Sequence, residues 1–317
     1  MRVLITGAAG FVGRHLAALC TGEGAQITGL GRYPKQDASG RYEQVDLTDA
    51  EAARAAVART RPERVFHLAA EASVARSWES PGEVMENNVR STLNLLRAVC
   101  AQAPDAAVLV ACSGEEYGPV PPDRLPVTED EPLRPQNPYA VSKAMVDLLA
   151  GFYADAHGLR VVRARSFNHA GPGQSDVYVV SSFARQVAEA EAAAPAEGRA
   201  VIDTGNPGSR RDFTDVRDVV RAYWLALERA EPGAYNVCSG VSTSVADILA
   251  GLAEHTPLQL ERRTDPARLR EHEVMEIRGS HDKLSGATGW QPEVELRDTL
   301  RDTLDWWREQ VAAGVAP

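Results

Sequence analysis

Short β-branched runs alternate through the first half of this chain with longer segments whose apolar residues recur at three- and four-residue spacing. Residues 3–6, 26–30, 65–68, 107–111 and 160–164 predict strands, and stretches such as 88–99 and 139–157 predict amphipathic helices between them. That alternation is the mark of an α/β protein with a doubly wound parallel sheet. After Asn168 the rhythm changes. Gly171-Pro172-Gly173 breaks the chain, a helix is predicted over 180–191, and an Ala-Pro-Ala-Glu-Gly linker leads to a strand at 201–204. Short strands then mix with helices over 215–230, 245–254 and 296–312, which suggests a smaller, interleaved C-terminal domain over the carboxyl ends of the sheet strands. The expected division is 1–167 plus 214–239 for the sheet domain and 168–213 plus 240–317 for the smaller one.

A chain of 317 residues fills one large or two modest domains, and its formal charge of −10 argues against nucleic acid or an anionic membrane as partner. Any anionic ligand must therefore be met by local cations. Cys20, Cys100, Cys112 and Cys238 lie far apart, with neither C-x-x-C nor metal-ligand spacing, so they read as reduced thiols with no metal implied. The first apolar run ends in a turn, and no run reaches the ~20 apolar residues of a membrane span, so neither a signal peptide nor a membrane is expected and the location expected is the cytoplasm.

Gly7, Gly10 and Gly13 fall where the first strand turns into the first helix. Gly7 allows the tight bend, Gly10 lets backbone approach a pyrophosphate, and Gly13 lets the helix lie close on the sheet; Phe11 and Val12 open the helix whose N–H groups face the ligand. The spacing is one residue longer than the commoner G-x-G-x-x-G, and a glycine string alone also suits an ordinary βα turn. Its position supports a dinucleotide cradle, hence a Rossmann-type sheet. No carboxylate follows the second strand to bind a ribose 2′-OH; Arg32 stands there, with Lys35 beyond. These cations favour NADP(H), with NAD(H) possible, although loop cations can also be solvated surface charges. Asp46 and Leu47 suit an adenine edge, although an Asp there is also an ordinary N-terminal turn residue.

Tyr139 and Lys143, four residues apart on one helix face, bring an ammonium near a phenol, which favours proton exchange with a hydroxyl or ketone. The pair is also compatible with an exposed i,i+4 contact. Cys112-Ser113-Gly114-Glu115-Glu116-Tyr117-Gly118 places a hydroxyl at a strand end facing the same crevice. With these elements, and with His67-Leu68-Ala69-Ala70 and Asn88-Val89, the chain resembles the extended short-chain dehydrogenase/reductases that act on nucleotide sugars, and the resemblance runs end to end. It implies a triad in which Ser113 bonds the reacting C4 oxygen, Tyr139 exchanges the proton, and Lys143 holds the nicotinamide ribose and tunes Tyr139. Leu68, Ala69 and Ala70 would then line the cofactor.

Residues 165–174 and 211–218 are most similar to the GDP-4-keto-6-deoxy-D-mannose reductases of that family. The likeness implies NADPH-dependent reduction of a 4-keto group, giving GDP-D-rhamnose or its C4 epimer GDP-6-deoxy-D-talose, as a step of deoxysugar biosynthesis. A GDP-mannose 4,6-dehydratase or another nucleotide-sugar epimerase or dehydratase is the alternative, and a non-catalytic NADP-sensing protein a remote one. Asn168, Arg185, Arg211 and Arg270 supply donors and charge for a sugar-linked diphosphate, although each also suits a surface cation or a loop cap, with Glu273 beside them as a substrate contact. Glu115 occupies the position of the dehydratases' acid–base carboxylate, which reductases also keep. Glu71 and Ser166 depart from the usual glutamine and proline. A homodimer is expected through the apolar helix faces near 93–99 and 145–152.

Overall fold

The computed structural model describes residues 1–33, 41–269 and 274–314; Lys35, Arg270 and Glu273 lie outside them. The first half runs β1 (Arg2–Thr6), α1 (Phe11–Gly22), β2 (Gln26–Gly31), β3 (Arg41–Gln44), α2 (Ala50–Thr60), β4 (Arg64–His67), α3 (Val74–Glu79), α4 (Pro81–Met85), α5 (Ser91–Gln102), β5 (Ala107–Ser113), α6 (Pro138–His157) and β6 (Val161–Ser166). The second half adds β7 (Asn168–Ala170), α7 (Val179–Ala193), β8 (Arg199–Thr204), β9 (Arg210–Asp215), α8 (Val216–Arg229), β10 (Gly233–Val237), β11 (Ser242–Ser244), α9 (Val245–Ala253), β12 (Gln259–Thr264), β13 (Glu276–Ile277), α10 (Asp282–Thr288) and α11 (Leu296–Ala312).

Seven parallel strands in the order β10-β6-β5-β4-β1-β2-β3 form the main sheet. The winding direction reverses between β1 and β4, and ligands of such sheets lie at the strand carboxyl ends beside that reversal. Apolar layers cover both faces: Ile5, Phe66, Leu109 and Val162 meet α1 and α8 on one, while Leu4, Val65, Val108 and Val161 meet α2, α5 and α6 on the other. Successive strand residues point to opposite faces, which is why these two sets differ by one position. The smaller lobe joins β11-β9-β13, with β7 on β9, to the parallel pair β12-β8. In α11, Leu300, Leu304 and Trp307 recur at helical spacing and bury against Phe183 and Val187 of α7 and Ile248 and Leu252 of α9.

Packing crosses the expected domain division. Leu284 and Trp290, placed by sequence in the smaller domain, lie in the main-sheet core with Val219 and Tyr223, and the Trp290 indole donates to the Asp218 carbonyl at 3.0 Å. The first residues of the helix expected over 88–99 lie in a π-helical turn, Glu86–Arg90, and α5 begins at Ser91. Among the described residues no helix is long and apolar enough to cross a membrane.

Candidate active site

The β1–α1 turn is built on backbone. Gly7 has φ +71°, a region costly for other residues, and a Cβ there would lie 2.9 Å from the Ala69 nitrogen; a Cβ on Gly13 would lie 2.2 Å from the Gly7 oxygen. Gly10 caps α1 without a side-chain bond, which leaves the first-turn N–H groups of the helix for a ligand. Phe11 stacks on His169 at 6.0 Å. Behind the turn, Thr6 Oγ1 shares a 2.8 Å hydrogen bond with His67 Nδ1 and accepts the Ala69 N–H at 3.1 Å, and His67 Nε2 meets Thr92 Oγ1 at 2.9 Å. Burial first, and then the Lys143 charge, pushes His67 down to about 3, so the ring is neutral and fastens the Leu68-Ala69-Ala70 loop against Gly7.

At the adenosine end the Arg32 guanidinium donates to Asn87 Oδ1 and lies 3.4 Å from Asp46 Oδ2. Asp46 Oδ1 accepts the Thr48 N–H and hydroxyl, at 2.9 and 2.8 Å, and Leu47 is buried beside it. A floor without Cβ atoms, an open helix end and an exposed guanidinium at the far side together fit a dinucleotide carrying a 2′-phosphate.

The reacting end is set by β5 and α6. Ser113 is the last residue of β5, and Asn137 caps α6 by accepting the Ala140 N–H at 2.8 Å, which starts Tyr139 and Lys143 on one face. The Tyr139 phenol is hydrogen-bonded to the Ser113 hydroxyl; burial pushes it above its ordinary value, against the lowering by Ser113. Lys143 Nζ donates to the Ala111 carbonyl at 2.6 Å, and burial lowers its pKa. Desolvation thus dominates the phenol, and the further groups acting on it are Ser113, Tyr178, Glu115 and Glu116. Glu115 Oε2 accepts from Asn137 Nδ2 at 3.2 Å.

The π turn aims two consecutive amides in different directions, Asn87 to Arg32 and Asn88 to the catalytic helix. Asn88 Nδ2 donates to the Glu71 carbonyl and to Ser142 Oγ, each at 3.0 Å, so the loop after β4 is tied to the turn carrying Lys143. Glu71 itself faces Arg76 at 3.1 Å, and Ser166 Oγ meets Tyr223 Oη at 2.6 Å, a bond a proline could not make.

On the substrate side, Asn168 stands in β7, beside Phe213 of β9 in strand register. Arg211 Nη1 donates to Ser209 Oγ and the Arg210 carbonyl at 2.9 and 2.8 Å. The Arg185 guanidinium donates to Asp176 and to Glu189, the latter at 2.7 Å, over the Trp307 ring. Asp212, not singled out in the sequence, gathers the lobe by accepting the N–H groups of Ser239, Gly240 and Gly279 and the Ser239 hydroxyl. Tyr178, also not singled out, acts electrostatically on Tyr139 from the rim. Glu116 went unmarked too, although Ser113-x-x-Glu116 is a capping-box spacing that the sequence displays.

A family model described as GDP-mannose 4,6 dehydratase matches residues 4–303. The chain is 37% identical over 311 residues to GDP-6-deoxy-D-mannose reductase of Pseudomonas aeruginosa, covering 98% of each. Its fold is similar to RMD from Pseudomonas aeruginosa complexed with NADPH, with a TM-score of 0.85 and 33% identity over 98% of this chain and all (100%) of that one. It is equally similar to the Thermus thermophilus UDP-glucose 4-epimerase complex with NAD, with a TM-score of 0.86 and 33% identity over 97% and 99% of the two chains. With the glycine cradle and the Ser113, Tyr139 and Lys143 cluster in the same sheet ends, the chain belongs to the GDP-mannose 4,6 dehydratase family of nucleotide-sugar short-chain dehydrogenase/reductases.

Proposed function

We propose that this protein reduces the 4-keto group of a GDP-4-keto-6-deoxyhexose with NADPH, giving GDP-D-rhamnose or its C4 epimer GDP-6-deoxy-D-talose. The observation that carries this reading is the placement of Tyr139 beside Ser113 at the end of β5 and one helical turn from Lys143, where its phenol, raised by burial, keeps a proton to give to a ketone oxygen. The reductase relative, similar over nearly the whole of both chains, supports the same choice over a dehydratase.

In the mechanism, Ser113 and Tyr139 both hydrogen-bond the C4 oxygen of the substrate. NADPH, when bound, supplies hydride to C4. As charge develops on the oxygen, Tyr139 delivers its proton there and the Ser113 hydroxyl stabilises the remainder. The tyrosinate left behind is stabilised by the Lys143 ammonium, one helical turn away, until it is reprotonated. Gly7, Gly10, Phe11, Val12, Gly13 and the Leu68-Ala69-Ala70 loop hold the cofactor, Lys143 its ribose, Asp46 and Leu47 its adenine side, and Arg32 its 2′-phosphate. Asn168 and Arg211 bind the substrate between the lobes, with Arg270 and Glu273 assigned to it on resemblance alone. Glu115 has no C5 proton to remove in a direct reduction; its carboxylate accepts from Asn137 and its N–H donates to Ser113 Oγ.

The enzyme works as a homodimer in the cytoplasm on this reading, in keeping with its four free cysteines and the exposed apolar face of α6. The test is to supply purified protein with GDP-mannose alone and, separately, with GDP-4-keto-6-deoxy-D-mannose plus NADPH. Stoichiometric loss of NADPH only in the second is expected. Loss of water from GDP-mannose with no net change in NADP+, seen by mass spectrometry, would overturn the reading in favour of a dehydratase.

A further inference from the structure

Directly beneath Ser113 lies a carboxyl that the reduction leaves unused. Glu116 is fully buried at 0% exposure, and its Oε1 accepts the Ser113 N–H at 2.6 Å while Ser113 Oγ accepts the Glu115 N–H at 3.2 Å. These bonds hold the end of β5 and the turn after it in one geometry. Glu116 Oε2 is buried without a hydrogen-bond partner among the described residues. The nearest cation is Arg165, whose Nε lies 4.0 Å away but is committed to Asp147 at 2.9 Å. The other Arg165 donors go to Asp147, the Tyr117 hydroxyl and the Glu129 carbonyl.

The charged and titratable groups coupled to Glu116 come from four elements: Cys112 on β5, Tyr139, Lys143 and Asp147 on α6, Arg165 on β6, and Tyr117 in its own turn. An ionised carboxylate there would leave one oxygen desolvated and unpaired beside Asp147. A neutral acid avoids that cost.

We infer that Glu116 is a positioning residue of the reduction: its carboxyl clamps the Ser113 N–H so that the Ser113 hydroxyl stays on Tyr139, and a negative charge gained there, beneath the reacting pair, turns the site down. The inference rests on the reading of Ser113 and Tyr139 as the groups that meet the C4 oxygen. Burial, reinforced by Asp147, pushes Glu116 up to about 8, which puts the change within reach of ordinary buffers. The direction follows from charge. A negative charge at Glu116 raises the Tyr139 phenol further and attracts the Lys143 ammonium, so Tyr139 gives up its proton less readily.

The experiment compares kcat profiles from pH 6 to 10 for wild type, Glu116→Gln and Glu116→Met, with near-ultraviolet circular dichroism as a check on folding. Wild type should lose activity as pH rises through about 8. Glu116→Gln keeps an acceptor for the Ser113 N–H but cannot ionise, so it should stay within about threefold at neutral pH and lack that alkaline limb. Glu116→Met keeps the volume and loses the clamp, so kcat should fall roughly tenfold at every pH while KM stays within about twofold. An alkaline limb that persists in Glu116→Gln, or a Glu116→Met enzyme with unchanged kcat, would overturn the inference. A wild-type profile flat across this range overturns it without any variant. Full turnover in Tyr139→Phe would instead remove the underlying reading, whatever Glu116 does.

Discussion

Tyr139 shows how one group's environment decides what it can do. Its phenol is desolvated, bonded to Ser113 and surrounded by further acidic neighbours, so its proton is retained until a stronger base, the forming C4 alkoxide, appears beside it. Tyr139→Phe should therefore lower kcat by about two to four decades, the usual worth of a positioned acid, with NADPH affinity almost unchanged in a fluorescence titration. Glu115→Gln should lower the ketone-reduction rate far less, because the substitution keeps the Glu115 N–H that bonds Ser113 Oγ, and the carboxylate it removes takes no proton in a direct reduction. At the other end of the cofactor site, Arg32 is exposed enough to meet a 2′-phosphate, and Asn87 and Asp46 fix where its guanidinium lies. Arg32→Asp should weaken NADPH by about 2–3 kcal/mol through a lost charge-assisted bond and a new repulsion, leaving NADH nearly unaffected. Equal losses for the two cofactors would place the phosphate elsewhere.

At the scale of elements, much of this fold could be read in advance because its signals are local. The helix over 296–312 was legible from its own apolar spacing, and β1, its glycine turn and α1 from one continuous stretch. What escaped depends on contacts distant in sequence. Nothing in Asn87-Asn88 announces a π turn that sends one amide to a residue 55 positions away and the other to one 54 away. The surroundings of Arg185 escaped for the same reason. On sequence it is a cation near a break, but α7 sets it between Asp176 and Glu189 and over Trp307 of α11, which makes it a brace between two helices. Arg185→Ala should therefore lower Tm by a few degrees and leave KM for the nucleotide sugar within about twofold. Thermal unfolding and steady-state kinetics on the same preparation separate the two roles, and a large rise in KM would return Arg185 to the substrate site.

For the whole molecule, the decisive surface is the outer face of α6. Met145, Leu148 and Phe152 are 44%, 65% and 57% exposed, and they follow one another at three- and four-residue intervals, so they form an apolar stripe on the helix that carries Tyr139 and Lys143 on its inner side. A stripe of this kind on a chain with a formal charge of −10 is what a second copy would cover, since two net-acidic surfaces approach most cheaply where no charge is displayed. A two-fold dimer would set α6 of one subunit against α6 of the other, using the same residues twice. Such packing would also stiffen the helix whose first turns position the reacting phenol. Light scattering should thus give twice the 34.2 kDa chain mass for wild type. The double substitution Leu148→Arg with Phe152→Arg, which buries no new group and removes no hydrogen bond in the subunit, should give a monomer with an unchanged far-ultraviolet spectrum. Its kcat should fall by roughly threefold to tenfold, through looser placement of Tyr139, while the affinity for NADPH, set by the glycine turn and Arg32 on the far side of the sheet reversal, stays the same. A wild-type monomer, or a double variant that remains dimeric, would show that some other surface joins the subunits or that none does.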